Sequence, residues 1–170
     1  VVAWLGAWAV PLALVVIGSR QRALGNLLHD ASHRSFDRNH ARARWLANVL
    51  FCWPLWVSMP IYRYEHNRHH RYLGDPERDP DYIHDESRPG RGWRELLWEQ
   101  IASPRMLQLS LFAHLPRMDA ASIAGVILWW AVVLGAIGLS FGADRAAGFA
   151  ALWIAARALV FHPITAFREI

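Results

Sequence analysis

Between Ala120 and Gly142 the chain runs for 23 residues without a single charge. As a helix rising ~1.5 Å per residue, such a block is long enough to cross a ~30 Å hydrocarbon core. A second block, Ala146–Phe167, follows at once, with only Arg157 and His162 as ionisable exceptions. The intervening Ala143-Asp144-Arg145 reads as a tight polar turn, so the two blocks are expected to form a helical hairpin. A third block, Val1 to about Gly18, contains Pro11 and is just long enough to span. The block Trp45–Pro60 is 16 residues long and is broken by Pro54.

Composition agrees with a membrane protein. Of the 170 residues 54% are apolar and 19% are charged, against about a quarter charged in soluble domains. The cations are 18 Arg with no Lys, giving a net charge of +4. No helix-turn-helix, zinc-finger or RNA-binding pattern accompanies them, so nucleic acid is not an expected partner. Fifteen of the arginines lie between Arg20 and Arg117, and only Arg145 sits in the turn between the last two blocks. By the positive-inside tendency the arginine-rich middle faces the cytoplasm. The lone Cys52 excludes an internal disulfide, an iron–sulfur cluster and a cysteine-rich zinc site. Any metal must be held by histidine and oxygen ligands.

Five of the nine histidines form two boxes, His29-Asp30-Ala31-Ser32-His33 and His66-Asn67-Arg68-His69-His70. On a helix, residues three and four apart share a face. His29 and His33 therefore project together, and His66, His69 and His70 fan over one side. Gly74 and Pro76 mark the end of the second helix. Clustered imidazoles repel one another when protonated, and a bound metal removes that conflict. Five ligands exceed the four of a closed tetrahedral zinc site, and two irons sharing histidines account for the excess. For both boxes to reach the same metals they must lie on one side of the membrane. Residues 45–60 are then interfacial or re-entrant, because 16 residues with a proline cannot cross twice.

Arg20-Gln21-Arg22-Ala23-Leu24 through the first box resembles the membrane fatty acid desaturase superfamily. So do Tyr62-Arg63 through the second box, Gly74-Asp75-Pro76, Asp79-Pro80-Asp81 and the closing His162–Ile170. The resemblance covers almost the whole chain. It implies an all-α integral membrane protein, a transmembrane helix bundle with a cytosolic histidine-rich helical cap. It implies a di-iron centre held by His29, His33, His66, His69 and His70, with molecular oxygen, a lipid or fatty acyl substrate, and electrons from a ferredoxin-like or cytochrome donor. The expected activity is oxygen-dependent introduction of a double bond into an acyl chain. The alternatives are a hydroxylase or ketolase of the same superfamily acting on a lipid, carotenoid or alkane, or a non-catalytic haem-binding membrane protein. A metalloprotease is disfavoured, since the chain has no HExxH.

The superfamily carries a third histidine box beyond its last span, and none appears here. The chain, a single desaturase-like domain over 1–170, is expected to be a fragment truncated at both ends and inactive alone. Asp30 and Asp79 are candidates either for orienting ligand imidazoles or for ordinary helix and loop surface. His162, inside a span, either approaches the metal site or hydrogen-bonds within the bundle. His40, His84 and His114 are expected on the surface, Arg88–Gly92 as a flexible loop, and 93–118 as an amphipathic interfacial helix.

Overall fold

The computed structural model describes residues 6–33, 38–82 and 92–168. The first five residues of the opening block, His84, Arg88–Arg91 and Glu169-Ile170 lie outside the described residues. Among the described residues every element is helical and none is a strand.

Helix α1 (Val10–Ser32) carries Pro11 in its first turn, where a missing N–H costs nothing. It continues unbroken past Gly18, where the sequence reading ended the first span. The change there is one of polarity, and nothing in it stops a backbone. The Ser19 hydroxyl returns to the carbonyls of Val15 and Val16 at 2.7 and 3.0 Å, so the first polar residue is satisfied by the helix itself. The apolar block and the first histidine box therefore share one rigid rod.

Helix α2 (His40–Ala47) starts at Asn39, whose side chain accepts from the N–H groups of Ala41 and Arg42. It runs into a π-helical turn, Asn48–Cys52. The chain then turns through Trp53–Trp56 and enters helix α3 (Met59–Tyr72). No single helix passes through residues 45–60. Instead Phe51, Cys52, Leu55, Val57 and Met59 pack against Leu28 and Ala31 of α1 and against Trp153. Leu55 and Met59 are almost completely buried, each contributing about 1.5–3 kcal/mol of apolar burial. This core fixes α3 beside the end of α1.

The expected amphipathic helix over 93–118 is two helices, α4 (Trp93–Ala102) and α5 (Pro104–Phe112). The break is Ser103-Pro104. The Ser103 hydroxyl accepts from the N–H of Met106 at 3.3 Å, and Pro104 opens the new helix.

Helix α6 (Ala120–Phe141) is capped by Asp119, which accepts from the N–H of Ser122 at 2.8 Å. Gly142 alone makes the reversal, at φ +95°. The expected turn residues 143–145 form the first turn of α7 (Ala143–Ala156), where Asp144 suits the positive helix end. A π-helical turn, Arg157–Phe161, leads into α8 (His162–Arg168). Ala120–Phe141 and Ala143–Phe167 are each long and apolar enough to cross a membrane. Ile127, Leu128, Val132, Leu139 and Phe141 on α6 are exposed, unlike the core helix of a soluble domain.

Two glycines allow the close approaches that hold this frame. A Cβ on Gly18 would stand 2.5 Å from the Cβ of Val160, and one on Gly125 would stand 2.4–2.6 Å from Trp53 ring atoms. Beside the first contact, the Gln21 side-chain amide donates to the Trp153 carbonyl at 2.9 Å. Helix α1 is thus locked against α7 and the turn that follows it.

Candidate metal centre

The C-terminal end of α1 and the second half of α3 meet. Arg63, on α3, makes the joint: its guanidinium donates to the carbonyls of Ser32 at 2.9 Å and Ala31 at 3.4 Å. These are the unsatisfied carbonyls at a helix end, where a cation is favoured. Ser32 also returns its hydroxyl to the His29 carbonyl at 2.6 Å. With that joint made, four imidazoles from both boxes converge. His29, His33, His66 and His70 each offer a ring nitrogen, and these nitrogens all lie within 4.8 Å of one another.

His66 is central and only 9% exposed. Its Nε2 stands 2.9 Å from His33 Nε2 and 3.0 Å from His70 Nε2. The His29 ring lies edge-on at 4.6 Å between centroids, and Tyr62 stacks on the other side at 5.6 Å. As hydrogen bonds the nitrogen trio is poorly served, since a neutral imidazole Nε2 either donates once or accepts once. As ligands it is well served. Two nitrogens each ~2.1 Å from one ion and at right angles to it stand ~3 Å apart.

Electrostatics favour the same state. Burial first, and then the charges of His29, His70, His33 and His69, push His66 down to about 4. At neutral pH its lone pair is therefore free for a metal. The donor set of imidazoles suits iron, zinc, copper or nickel on softness alone.

His69 stands beside this group. Its ring lies 5.9 Å from His70 and 6.4 Å from His66 between centroids. Its Nδ1 is held by Asp79 Oδ1 at 2.8 Å, an arrangement that leaves Nε2 as the ligating nitrogen. Asp79 is buried, and it also accepts the N–H of Gly74 at 3.0 Å and of Asp81 at 2.9 Å. Burial alone would raise its carboxyl; the His69 ring and the two backbone donors outweigh burial and hold it below the usual carboxylate range. Asp30 meets His29 Nδ1 at 3.2 Å but is exposed.

His162 lies outside the four-histidine group. It is 2% exposed, and its Nδ1 shares a 2.7 Å hydrogen bond with the Ser110 hydroxyl of α5. His40 is exposed. His114 corrects the surface reading: its side chain is 13% exposed, stacks on Tyr62 and takes the Ser58 N–H at 3.4 Å. It also faces Glu65, which Arg117 pairs from the other side. The sequence reading gave Arg63, Tyr62 and this Glu65 network no role. Their only signal was an arginine and a tyrosine one turn before a histidine box.

Residues 3–170 match the profile of the family described as Fatty acid desaturase. The dihydrorhizobitoxine desaturase of Bradyrhizobium elkanii is 36% identical over 102 residues, covering 55% of this chain and 29% of that protein. The sn-1 oleoyl-lipid 12-desaturase of Arthrospira platensis is 31% identical over 135 residues, covering 76% of this chain and 34% of that protein. The chain spans about a third of the length of these curated relatives, and no solved structure matches. A family profile matched along nearly the whole chain, over two histidine boxes that the fold brings together, makes this a member of the fatty acid desaturase family.

Proposed function

We propose that this chain is the part of a membrane-embedded, iron-dependent oxidoreductase that supplies one wall of its metal site, and that the enzyme introduces a double bond into a lipid acyl chain. The observation that carries the reading is the set of four imidazoles within 4.8 Å, drawn from both boxes. His29, His33, His66 and His70 hold one iron, and His69, oriented by Asp79, serves a second. Bound iron supplies oxygen activation, the one chemistry here that protein side chains cannot perform. The balance is that a saturated carbon–carbon bond loses two hydrogens while one oxygen molecule becomes two waters. Two electrons from an external one-electron carrier and two protons complete it.

The chain's own residues prepare the site. Burial and its neighbours keep His66 neutral, Asp79 fixes the His69 tautomer, and Arg63 sets the distance between the boxes. Helices α6 and α7–α8 cross the bilayer, α1 enters it from the first box, and residues 45–60 dip in without crossing. The boxes then share the cytoplasmic side with the arginine-rich middle. A haem held between membrane spans is disfavoured because both histidine boxes lie outside the apolar blocks.

The test is expression of the full-length parent of this chain in a host membrane, followed by iron analysis and mass spectrometry of the lipids. Products lighter by two hydrogens that vanish with His66→Ala support the reading. Products heavier by one oxygen identify a hydroxylase on the same site, and lipids unchanged by an iron-loaded protein contradict both.

A further inference from the structure

Rings surround His66, the central histidine of the cluster, in two different ways. His29, His33 and His70 meet it edge-on, at interplanar angles of 73°, 73° and 88°. Tyr62 instead lies nearly parallel to it, at 17° and 5.6 Å between centroids. Tyr62 stands four residues before His66 on α3, so helical spacing alone puts the two side chains on one face. Spacing does not keep the phenol ring there.

The turn before α6 does. The His114 ring stacks on Tyr62 at 6.4 Å and 26°, so Tyr62 stacks with two imidazoles at once. His114 is itself tethered at both ring nitrogens. Its Nδ1 accepts the N–H of Ser58, the residue before α3, at 3.4 Å, and its Nε2 faces Glu65 Oε2 at 3.9 Å. With Nδ1 accepting, the neutral ring carries its proton on Nε2, toward that carboxylate. Arg117 pairs with the other oxygen of Glu65. The turn Leu115–Arg117 therefore grips α3 at two points around His66, through Tyr62 four residues before it and Glu65 one before it. Tyr62 also packs against the hydrophobic core, which leaves its ring little room to swing away.

A stack of this kind favours a metal-bound imidazole over a free one. A coordinated ring gives electron density to its ion, and the electron-rich face of a phenol attracts the ring that results. The ligating lone pair lies in the plane of the imidazole, so whatever fixes that plane fixes the direction of the bond.

We propose that Tyr62 is a positioning residue for metal binding: backed by His114, it sets the plane of the His66 ring and aims Nε2 into the gap between His33 and His70 Nε2, 2.9 and 3.0 Å away. The inference rests on the reading of His66 as a metal ligand and adds to it a residue outside both boxes.

The probe is cobalt(II) chloride, since cobalt(II) takes imidazole ligands as iron does and its visible d–d bands report the ligand field. The full-length parent of this chain, in detergent, is titrated with cobalt(II) against a competing chelator. Tyr62→Leu should lower the affinity about three- to tenfold and shift the bands. Tyr62→Phe, which keeps the ring, should hold both within about twofold of the unaltered protein. In a His66→Ala background Tyr62→Leu should cost nothing further, because the clamp acts only through His66. His114→Leu should give a smaller loss that also disappears without His66, and it serves as the test if Tyr62→Leu does not fold. Unaltered affinity and bands in Tyr62→Leu would overturn the proposal. An equal loss with and without His66 would do the same, as the mark of a general effect on the fold. Tyr62→Phe losing as much as Tyr62→Leu would also overturn it, by assigning the role to the hydroxyl. Cobalt binding indifferent to His66→Ala would contradict the metal reading itself, and the clamp with it.

Discussion

Replacing Asp79 by Asn should weaken metal binding far more than the same change at Asp30, although each carboxylate touches one box histidine. The Asp79 side chain is 3% exposed and meets His69 Nδ1 at 2.8 Å; Asp30 is 65% exposed and meets His29 at 3.2 Å. Asp79 takes three donors, His69 Nδ1–H and the Asp81 N–H on Oδ1 and the Gly74 N–H on Oδ2. Asparagine has one acceptor oxygen. If that oxygen stays toward His69, the new amide N–H faces the Gly74 N–H, two donors head to head. If the amide flips, it forces His69 to carry its proton on Nε2, where a metal must bind. Losing one charge-assisted hydrogen bond costs roughly 1.5–3 kcal/mol, and loss of a ligand-orienting carboxylate lowers metal affinity ~10–100-fold. An exposed pair such as His29–Asp30 is worth about 0.2–1 kcal/mol, a few-fold at most. Iron affinity measured by competition with a coloured chelator should therefore fall ~10–100-fold in Asp79→Asn and less than about fivefold in Asp30→Asn. An Asp79→Asn variant that holds iron as tightly as the unaltered chain would refute the orienting role.

Gly125→Ala should lower the melting temperature in detergent, because an overpacking cost of about 1–3 kcal/mol against the Trp53 ring exceeds the ~1 kcal/mol helix gain of alanine; adding Trp53→Leu should restore it. Burial first, against a raising contribution from Glu65 and lowering ones from Arg117 and Arg157, pushes His114 down from 6.5 to about 4. With Tyr62 stacked on its ring and the Ser58 N–H on its Nδ1, His114 stays neutral in the fold while the unfolded chain takes up its proton. It therefore removes stability as pH falls from 6.5 to about 4, on the order of 3 kcal/mol at most. His114→Gln should flatten melting temperature against pH in that window, and an unchanged difference between pH 7 and pH 4.5 would count against it. In a Cys52→Ser background, Asn39→Cys and Arg71→Cys should react with an impermeant maleimide from the same side of the membrane and Asp144→Cys from the other. Labelling of the first two from opposite sides would show that residues 45–60 cross.

The two histidine boxes were legible because their spacing is the period of a helix, and α1 and α3 present them in that period. The two last apolar blocks were legible from length and lack of charge. The apolar block that ends at Gly18 continues as helix into the polar stretch after it, because polarity changes at Ser19 while the backbone has no reason to break; the serine hydroxyl bonds back into its own helix. The split of 93–118 was signalled by Ser103-Pro104, a cap followed by a helix-opening proline, and hydrophobic spacing masked it. His114 looked like a surface residue because its partners, Tyr62 and Glu65, are about fifty residues distant in sequence. The Arg63 joint to the end of α1 is of the same kind. Spacing shows which side chains share a face; it does not show which helix end another element will cap.

Iron K-edge absorption on the iron-loaded chain tests the central claim most directly. With one iron loaded per chain, the account predicts about four imidazole nitrogens at ~2.1 Å, with the outer-shell scattering of rigid rings. That signal should collapse in His66→Ala, which removes the nitrogen between His33 and His70, and persist in His40→Ala. A shell of oxygen ligands without imidazole scattering, or a spectrum indifferent to His66, would contradict it.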